Sequence, residues 1–284
     1  MMAGGFNLPA CSPMKSLPRS LPAFACALLS MVPALTRAGD PPELADAVRF
    51  AKLIRQDWKP AFEDPCTGDW KQKWTLDGEI ATVTNTKSGM ELKAGPEARN
   101  DAHHAVLWTK DSFKGDVKIE YTYTPTDEHF QFVTILYIQA TGSGKEGFDA
   151  DISKWADFRK APSMRSYYNN MNLYHISYNA YGAEKAAGKD YIRGRRYMGT
   201  KKLKGTELDN EYHETGFFKP GVPHQITVIK RDKEVFMHIQ ADGKEKLCHF
   251  VNSKFPAVTE GRIGLRHMFT RSARYKDFKV STLR

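Results

Sequence analysis

The sequence is poor in the features that would announce a function at once. It has four cysteines in 284 residues, and Cys11 and Cys26 lie in a separate N-terminal stretch. That leaves Cys66 and Cys248, which could pair in an oxidising compartment or stay as two buried thiols; spacing alone does not show proximity. No two histidines have the helical spacing of a metal site, and "DADIS" is too short for a calcium loop of the EF-hand kind. No metal site and no cofactor are therefore read here, and a structural calcium on a loop stays open. The Gly-x-Ser-x-Gly setting of a serine nucleophile is missing. "GSGKEG" has the wrong glycine and lysine spacing for a phosphate loop. No lysine/arginine block of nucleic-acid-tail length occurs, so nucleic acid is not an expected partner. There is no internal repeat and no low-complexity tract.

Long apolar runs are missing too. "LPAFACALLSMVPAL", residues 21–35, falls short of the ~20 apolar residues of a membrane span and contains Pro22 and Pro33. It follows Lys15 and Arg19 and precedes "TRA". A basic start, an apolar middle and a small residue at Ala38 make residues 1–38 a secretion signal, so export to the periplasm or beyond is expected. No stable membrane insertion is expected after its removal. Cleavage would take away Lys15, Arg19 and Arg37 and no acid, lowering the formal net charge from +9 to +6. A moderate positive charge favours acidic partners, and for an exported chain an acidic polysaccharide or oligosaccharide fits best.

What is present points to β-structure. The 41% hydrophobic and 12% aromatic content suffices for a core. Residues 39–60 read as a helical lead-in, with Leu44, Val48 and Ala51 at helical spacing, acids early and basics late. From Trp70 onward, short β-prone runs are separated by Asp-Gly and Ser-Gly turn signals. In "GDVKIEYTYTP", Val117, Ile119, Tyr121 and Tyr123 alternate with polar residues, as in a half-buried strand. "QFVTILYIQATGSG" is longer and more apolar, as a central strand is. Residues 145–173 break the pattern: a helical turn through Trp155 and Phe158, stopped by Pro162, then an irregular excursion of the kind that is usually functional. Strand texture returns at 174–180, 191–198 and on to the end. Residues 61–284 thus read as one all-β sandwich or barrel.

The ending "GRIGLRHMFTRSARYKDFKV" resembles the last two strands of concanavalin-A-like jelly-roll β-sandwiches. More narrowly, "WADFR", "MNLYHISYNAYG", "YIRGRRY", "ELDNEYHETGFFKPGVPHQITVIKR" and "EVFMHI" together resemble the YesU-like family of bacterial proteins. The resemblance runs from about Trp70 to the C-terminus. It implies a jelly roll with a concave sugar-binding face and a role in polysaccharide breakdown, without naming a reaction.

Two chemistries suit such a fold. A hydrolase needs two carboxylates about 5–9 Å apart, and the one-strand Glu-x-Asp-x-(x)-Glu pattern is missing. "EGFDAD" reads as loop, and "ELDNE" shows no clear strand alternation. An atypical pair drawn from Glu120, Glu207 and Glu211 remains the hydrolase alternative. A lyase acting on uronates needs donors that neutralise the carboxylate and a Tyr or His that moves the C5 proton. Strand parity puts His175, Ser177 and Asn179 together on one face of their segment, and Arg193, Arg195 and Tyr197 together on one face of a second. Gln131, Tyr137 and Gln139 share a face of a third. The reading with most chemical detail makes His175 and Tyr197 the acid/base pair, with adjacent cations lowering the tyrosine pKa. Arg193 and Arg195 would then hold the carboxylate. Gln131, Tyr137, Asn172, Ser177, Asn179 and Glu211 would line the substrate, Trp155 would stack on a ring, and Arg159 would reach the same side. His213 and His267 are reserve bases, with His267 also placed among the substrate contacts. The rival is a carbohydrate-binding module that uses the same face and does no chemistry.

Overall fold

A computed structural model describes Met1 and residues 42–129, 131–179, 190–199 and 202–283. The expected signal segment lies outside these residues after Met1, as do the start of the lead-in and the Asn179 side chain. Residues 36–284 belong to one compact unit.

Helix α1 (Pro42–Ile54) has Glu43 in its first turn and Lys52 in its last, the charge order that the helix dipole favours. It is shorter than the expected lead-in. Pro60 biases Lys59 toward extended backbone, and β1 (Lys59–Asp64) begins there. The next strands are β2 (Trp74–Asp77), β3 (Thr82–Thr86), β4 (Gly89–Lys93) and β5 (Ala105–Lys114). Ser88-Gly89 closes a tight hairpin, with Thr86 opposite Gly89. Asp77-Gly78 does not close one: β2 pairs with β5 and β3 with β4, so the chain changes sheets there. β6 (Val117–Pro125) buries every second residue, as its sequence alternation requires.

The remaining strands are β7 (Val133–Gly142), β8 (Met171–Asn179), β9 (Tyr191–Met198), β10 (Glu207–His213), β11 (His224–Arg231), β12 (Glu234–Ala241), β13 (Lys244–Val251), β14 (Glu260–His267) and β15 (Ser272–Thr282). They form two antiparallel sheets. One, sheet B, has the order β2-β5-β14-β7-β8-β9-β10. The other, sheet A, runs β13-β12-β11-β6-β15, with β4-β3 and β1 beyond β15. β10 pairs with β9 and, at Asp209, with Val251 of β13, so it joins the sheets.

Between the sheets lies the main core, including Leu107, Ile119, Leu136, Ile176, Val228, Met237, Leu265 and Val280. Cys66 and Cys248 both belong to it as free thiols, which settles the open disulfide question against a bridge. Burial pushes both thiols up to about 12. Helix α1 lies on the outer face of sheet A, through Leu53, Phe50 and Ile54 against Ile229 and Phe236.

The outer face of sheet B carries a second buried cluster. Val106, Trp108, Ile135, Tyr137, Leu173 and Tyr197 rise from the sheet; Ile152, Trp155 and Tyr167 come down on them from the segment after β7. That segment is more regular than its sequence suggests. A 3-10 helix, Ile152–Arg159, is followed by helix α2 (Met164–Asn170). Pro162 does stop the first, but Ser163 then caps the second by accepting the Ser166 N–H.

Candidate functional site

Antiparallel register sets one row of residues across sheet B: Trp108, Gly264, Tyr137, His175, Arg195 and Glu207. Gly264 is required there. A Cβ at that position would fall 2.4 Å from the Trp108 ring, which crosses it to stack on Tyr137 at 5.5 Å between centroids. Two residues along, a parallel row holds Arg266, Ile135, Ser177, Arg193 and Glu211. The parity expected for β8 and β9 therefore holds. His175, Ser177, Arg193, Arg195, Tyr197 and Tyr137 share one face, and Nδ1 of His175 lies 2.6 Å from the Tyr197 hydroxyl.

The environment of this pair differs from the expectation. The second helix and its approach roof it: Tyr168 sits edge-on to Tyr197, and the Tyr137 hydroxyl donates to Met164 Sδ at 3.8 Å. His175 is 3% exposed and Tyr197 is fully buried. Burial, then Arg195, Arg266 and Arg193, hold the His175 imidazole well below its ordinary pKa. Tyr197 was expected to be lowered by its arginines. Burial outweighs Arg266 and Arg195 and holds it well above the usual phenol range instead. Both groups are thus held in their neutral forms in the free protein.

Other expected ligands prove structural. The Arg159 guanidinium does lie on the same side as Trp155, 4.3 Å over its ring, but both are buried. Arg159 Nε donates to Asp77 at 2.6 Å, and its Nη1 donates to the carbonyls of Ile152 and Trp155. Trp155 donates to the Asp149 carbonyl and packs edge-on against Phe148, which leaves 7% of it exposed. His267 shares the inter-sheet side with Ile263 and Leu265, and its Nε2 lies 2.8 Å from the Tyr275 hydroxyl. Asn172 has the parity of Tyr174, not of His175, and donates to the Gly142 carbonyl. Gln131 is exposed and precedes β7. Gln139 sits at positive φ in a bulge, where its amide donates to the Phe113 and Gly115 carbonyls. Ser177 is buried and donates to the Arg193 carbonyl.

What stays accessible is a mixed cluster on β9 and β10. Arg193 Nη2 meets Glu211 Oε1 at 2.5 Å, with side chains 26% and 27% exposed. Arg195 meets Glu207 at 2.6 Å. The Arg193 guanidinium lies 4.4 Å over the half-buried Tyr191 ring, and Nε2 of His213 lies 3.4 Å from Glu211. The "ELDNE" stretch is thus a strand after all. Asn210 takes a positive φ within a register shift, and this bulge destroys the sequence alternation. The bond from Arg193 holds the Glu211 carboxyl below its ordinary range. For Glu207, burial works upward, but backbone N–H donation and Arg195 prevail, and it too is lowered. Glu120 is on β6, in the other sheet, paired with Lys118. Glu120 therefore does not join Glu207 and Glu211, and both of those carboxyls are held low, whereas a glycosidase needs one of its pair raised to act as an acid.

Sequence reasoning missed Asp77 and Arg266. Asp77 Oδ2 accepts from Trp108 Nε1, Arg159 Nε and the Tyr167 hydroxyl, at 2.7, 2.6 and 2.8 Å. It pins the roof to the sheet, though "LDG" reads only as a turn. Among the described residues, no group of three or more His, Cys, Asp or Glu side chains is placed to hold a metal.

The family described as Domain of unknown function (DUF1961) matches residues 67–280. The chain belongs to the DUF1961 family. This match encloses all the segments that carry the YesU-like resemblance. The DUF1961 protein is similar to a Bacillus subtilis protein of unknown function with a galectin-like fold. Identity is 18%, over 80% of this chain and 100% of that one, with a TM-score of 0.61. It is also similar to a Lotus tetragonolobus seed lectin at 9% identity, covering 78% and 98% of the two chains, TM-score 0.53. The exoplasmic/lumenal domain of VIP36, in a calcium- and glycan-bound form, gives 12% identity, 81% and 91% coverage, and a TM-score of 0.51. No curated protein matches it in sequence. These likenesses establish the fold as a concanavalin-A-like, lectin-type jelly roll with a short N-terminal helix.

Proposed function

We propose that this DUF1961 protein is an exported carbohydrate-binding protein. It holds an acidic polysaccharide or oligosaccharide at the β9–β10 edge of sheet B and does not cleave it. One observation carries the reading. The accessible residues are Tyr191, Arg193, Glu207, Glu211 and His213, a set suited to gripping a sugar. The residues suited to chemistry, His175 and Tyr197, lie buried beneath α2, where the imidazole is held well below and the phenol well above its ordinary range. Arginine forks and carboxylates make charge-assisted hydrogen bonds to hydroxyl and carboxylate groups, and an aromatic face beside them gives the apolar side of a sugar ring a place to rest. The lectin and the glycan-bound VIP36 domain support carbohydrate as the ligand class by analogy of fold. Export rests on the N-terminal sequence, and the acidic preference on the net positive charge.

Affinity electrophoresis in gels containing acidic or neutral glycans tests binding. Retardation only in acidic gels, weakened about tenfold in Arg193→Gln, is the expected result. Parallel incubations should show no rise in unsaturated-uronate absorbance and none in reducing ends. A rise in both would restore the lyase, and a rise in reducing ends alone the hydrolase.

A further inference from the structure

Arg159, Arg266 and Arg271 are fully buried. Arg159 has Asp77 as its counter-ion and Arg271 has Asp127. Among the described residues no carboxylate lies within ion-pair distance of Arg266. Its Nη2 donates to the Pro162 carbonyl at 2.7 Å and lies 2.6 Å from His104 Nδ1. Its guanidinium sits 4.7 Å over the Tyr167 ring. Nε and Nη1 of Arg266 have no partner, and neither has Nε2 of the nearby His175. A buried cation without an acid weakens a fold. Arg193 and Arg195, by contrast, are already neutralised by Glu211 and Glu207.

We propose that Arg266, together with Nε2 of His175, forms a carboxylate-binding site beneath α2 that takes a uronate carboxylate of the bound glycan. The inference rests on the carbohydrate-binding reading above and names its charged anchor. With Nδ1 of His175 accepting from the Tyr197 hydroxyl, the imidazole proton sits on Nε2, and three buried N–H groups without a partner stand on one face of sheet B, two on Arg266 of β14 and one on His175 of β8. An anionic acceptor satisfies all three by charge-assisted bonds. Access is through the roof. α2 has seven residues, well under the ~12–15 at which an isolated helix holds. It depends on Tyr167 bonding to Asp77 and on Met164 and Tyr168 packing over Tyr137 and Tyr197. Arg266 itself grips Pro162, one residue before the helix cap, so the anchor and the roof share one contact.

The test is calorimetric titration with oligogalacturonate, oligoglucuronate and their carboxyl-reduced counterparts, using the wild type and Arg266→Met. Wild type should bind a native acidic oligomer about 10- to 100-fold tighter than its reduced form. Arg266→Met should erase that preference while keeping or raising the melting temperature, because an apolar side chain replaces an unpaired buried charge. His175→Gln should reduce the same preference, and it decides the matter should the methionine variant fold poorly. Equal wild-type binding of native and reduced oligomers overturns the carboxylate site and leaves the carbohydrate reading standing. Binding of neither overturns both. A methionine variant that melts lower yet keeps the preference shows Arg266 to be structural only.

Discussion

Asp77 shows how far one side chain can govern this molecule. Its carboxylate ties a strand end to donors 31, 82 and 90 residues away in sequence. Asp77→Asn keeps the shape but removes the counter-ion of buried Arg159, and should cost about 3–5 kcal/mol, read by urea denaturation. A loss well under that range would mean that Arg159 finds solvent. Buried histidines set a pH dependence: burial holds His104, His175, His224 and His267 below the ordinary imidazole range. Burial, aided for His104 by Arg266 and for His267 by Arg271, lowers both to about 3. In the unfolded chain they titrate near ~6.5. Below that pH the unfolded state takes up protons that the folded state refuses, so stability is full above it and falls as the pH drops toward 3. Melting temperature should already decline between about pH 7 and pH 5, before most carboxylates titrate. His267→Gln should flatten the slope; a wild-type curve level across that window contradicts the assignment.

At the scale of elements, α1 is held by a side-chain clasp. The His249 ring lies flat on Phe236 at 4.1 Å, with Nδ1 2.8 Å from Asp46 and Nε2 3.1 Å from Glu234, which also pairs with Arg49. His249→Ala should release the helix, read as faster amide exchange in residues 43–54 with β11–β13 still protected. Loss of protection in those strands as well would mean that α1 is part of the cooperative core. Elements with a regular pattern were legible in the sequence: α1 by its helical spacing, β6 by alternation, the face shared by His175, Ser177, Arg193 and Tyr197 by parity. β10 was not, because the Asn210 bulge erases its alternation. Nor was α2, whose seven residues carry no apolar period. The largest miss was the state of the site face. Parity tells which residues share a face, but its covering is decided by Asp77, Arg159 and Tyr167 meeting from separate segments, and no local pattern encodes that.

The whole molecule is dominated by pairings between distant segments. β15 is bonded to β1, β4 and β6, so residues 59–64 and 278–282 share one ladder. Removing residues from Lys276 onward strips β1 and part of β6 of their partner, and should leave no cooperative melting transition by circular dichroism. A truncated chain that melts sharply would show that the two sheets hold without this strand. Folding of the intact chain should be slow, in the ~millisecond-to-second range of all-β domains rich in non-local contacts, as followed by tryptophan fluorescence.

The β1–β15 ladder also fixes how the protein answers a pull. Lys59 begins one strand and Thr282 ends the other, and they are register partners at the same end of an antiparallel pair. A load applied through both chain ends, once α1 has let go, meets the rungs one after another and not all in parallel. The seam opens like a zipper, from Lys59 and Thr282 toward Asp64 and Phe278. Held by one end the sandwich keeps its full strength; held by both, it yields at this edge first.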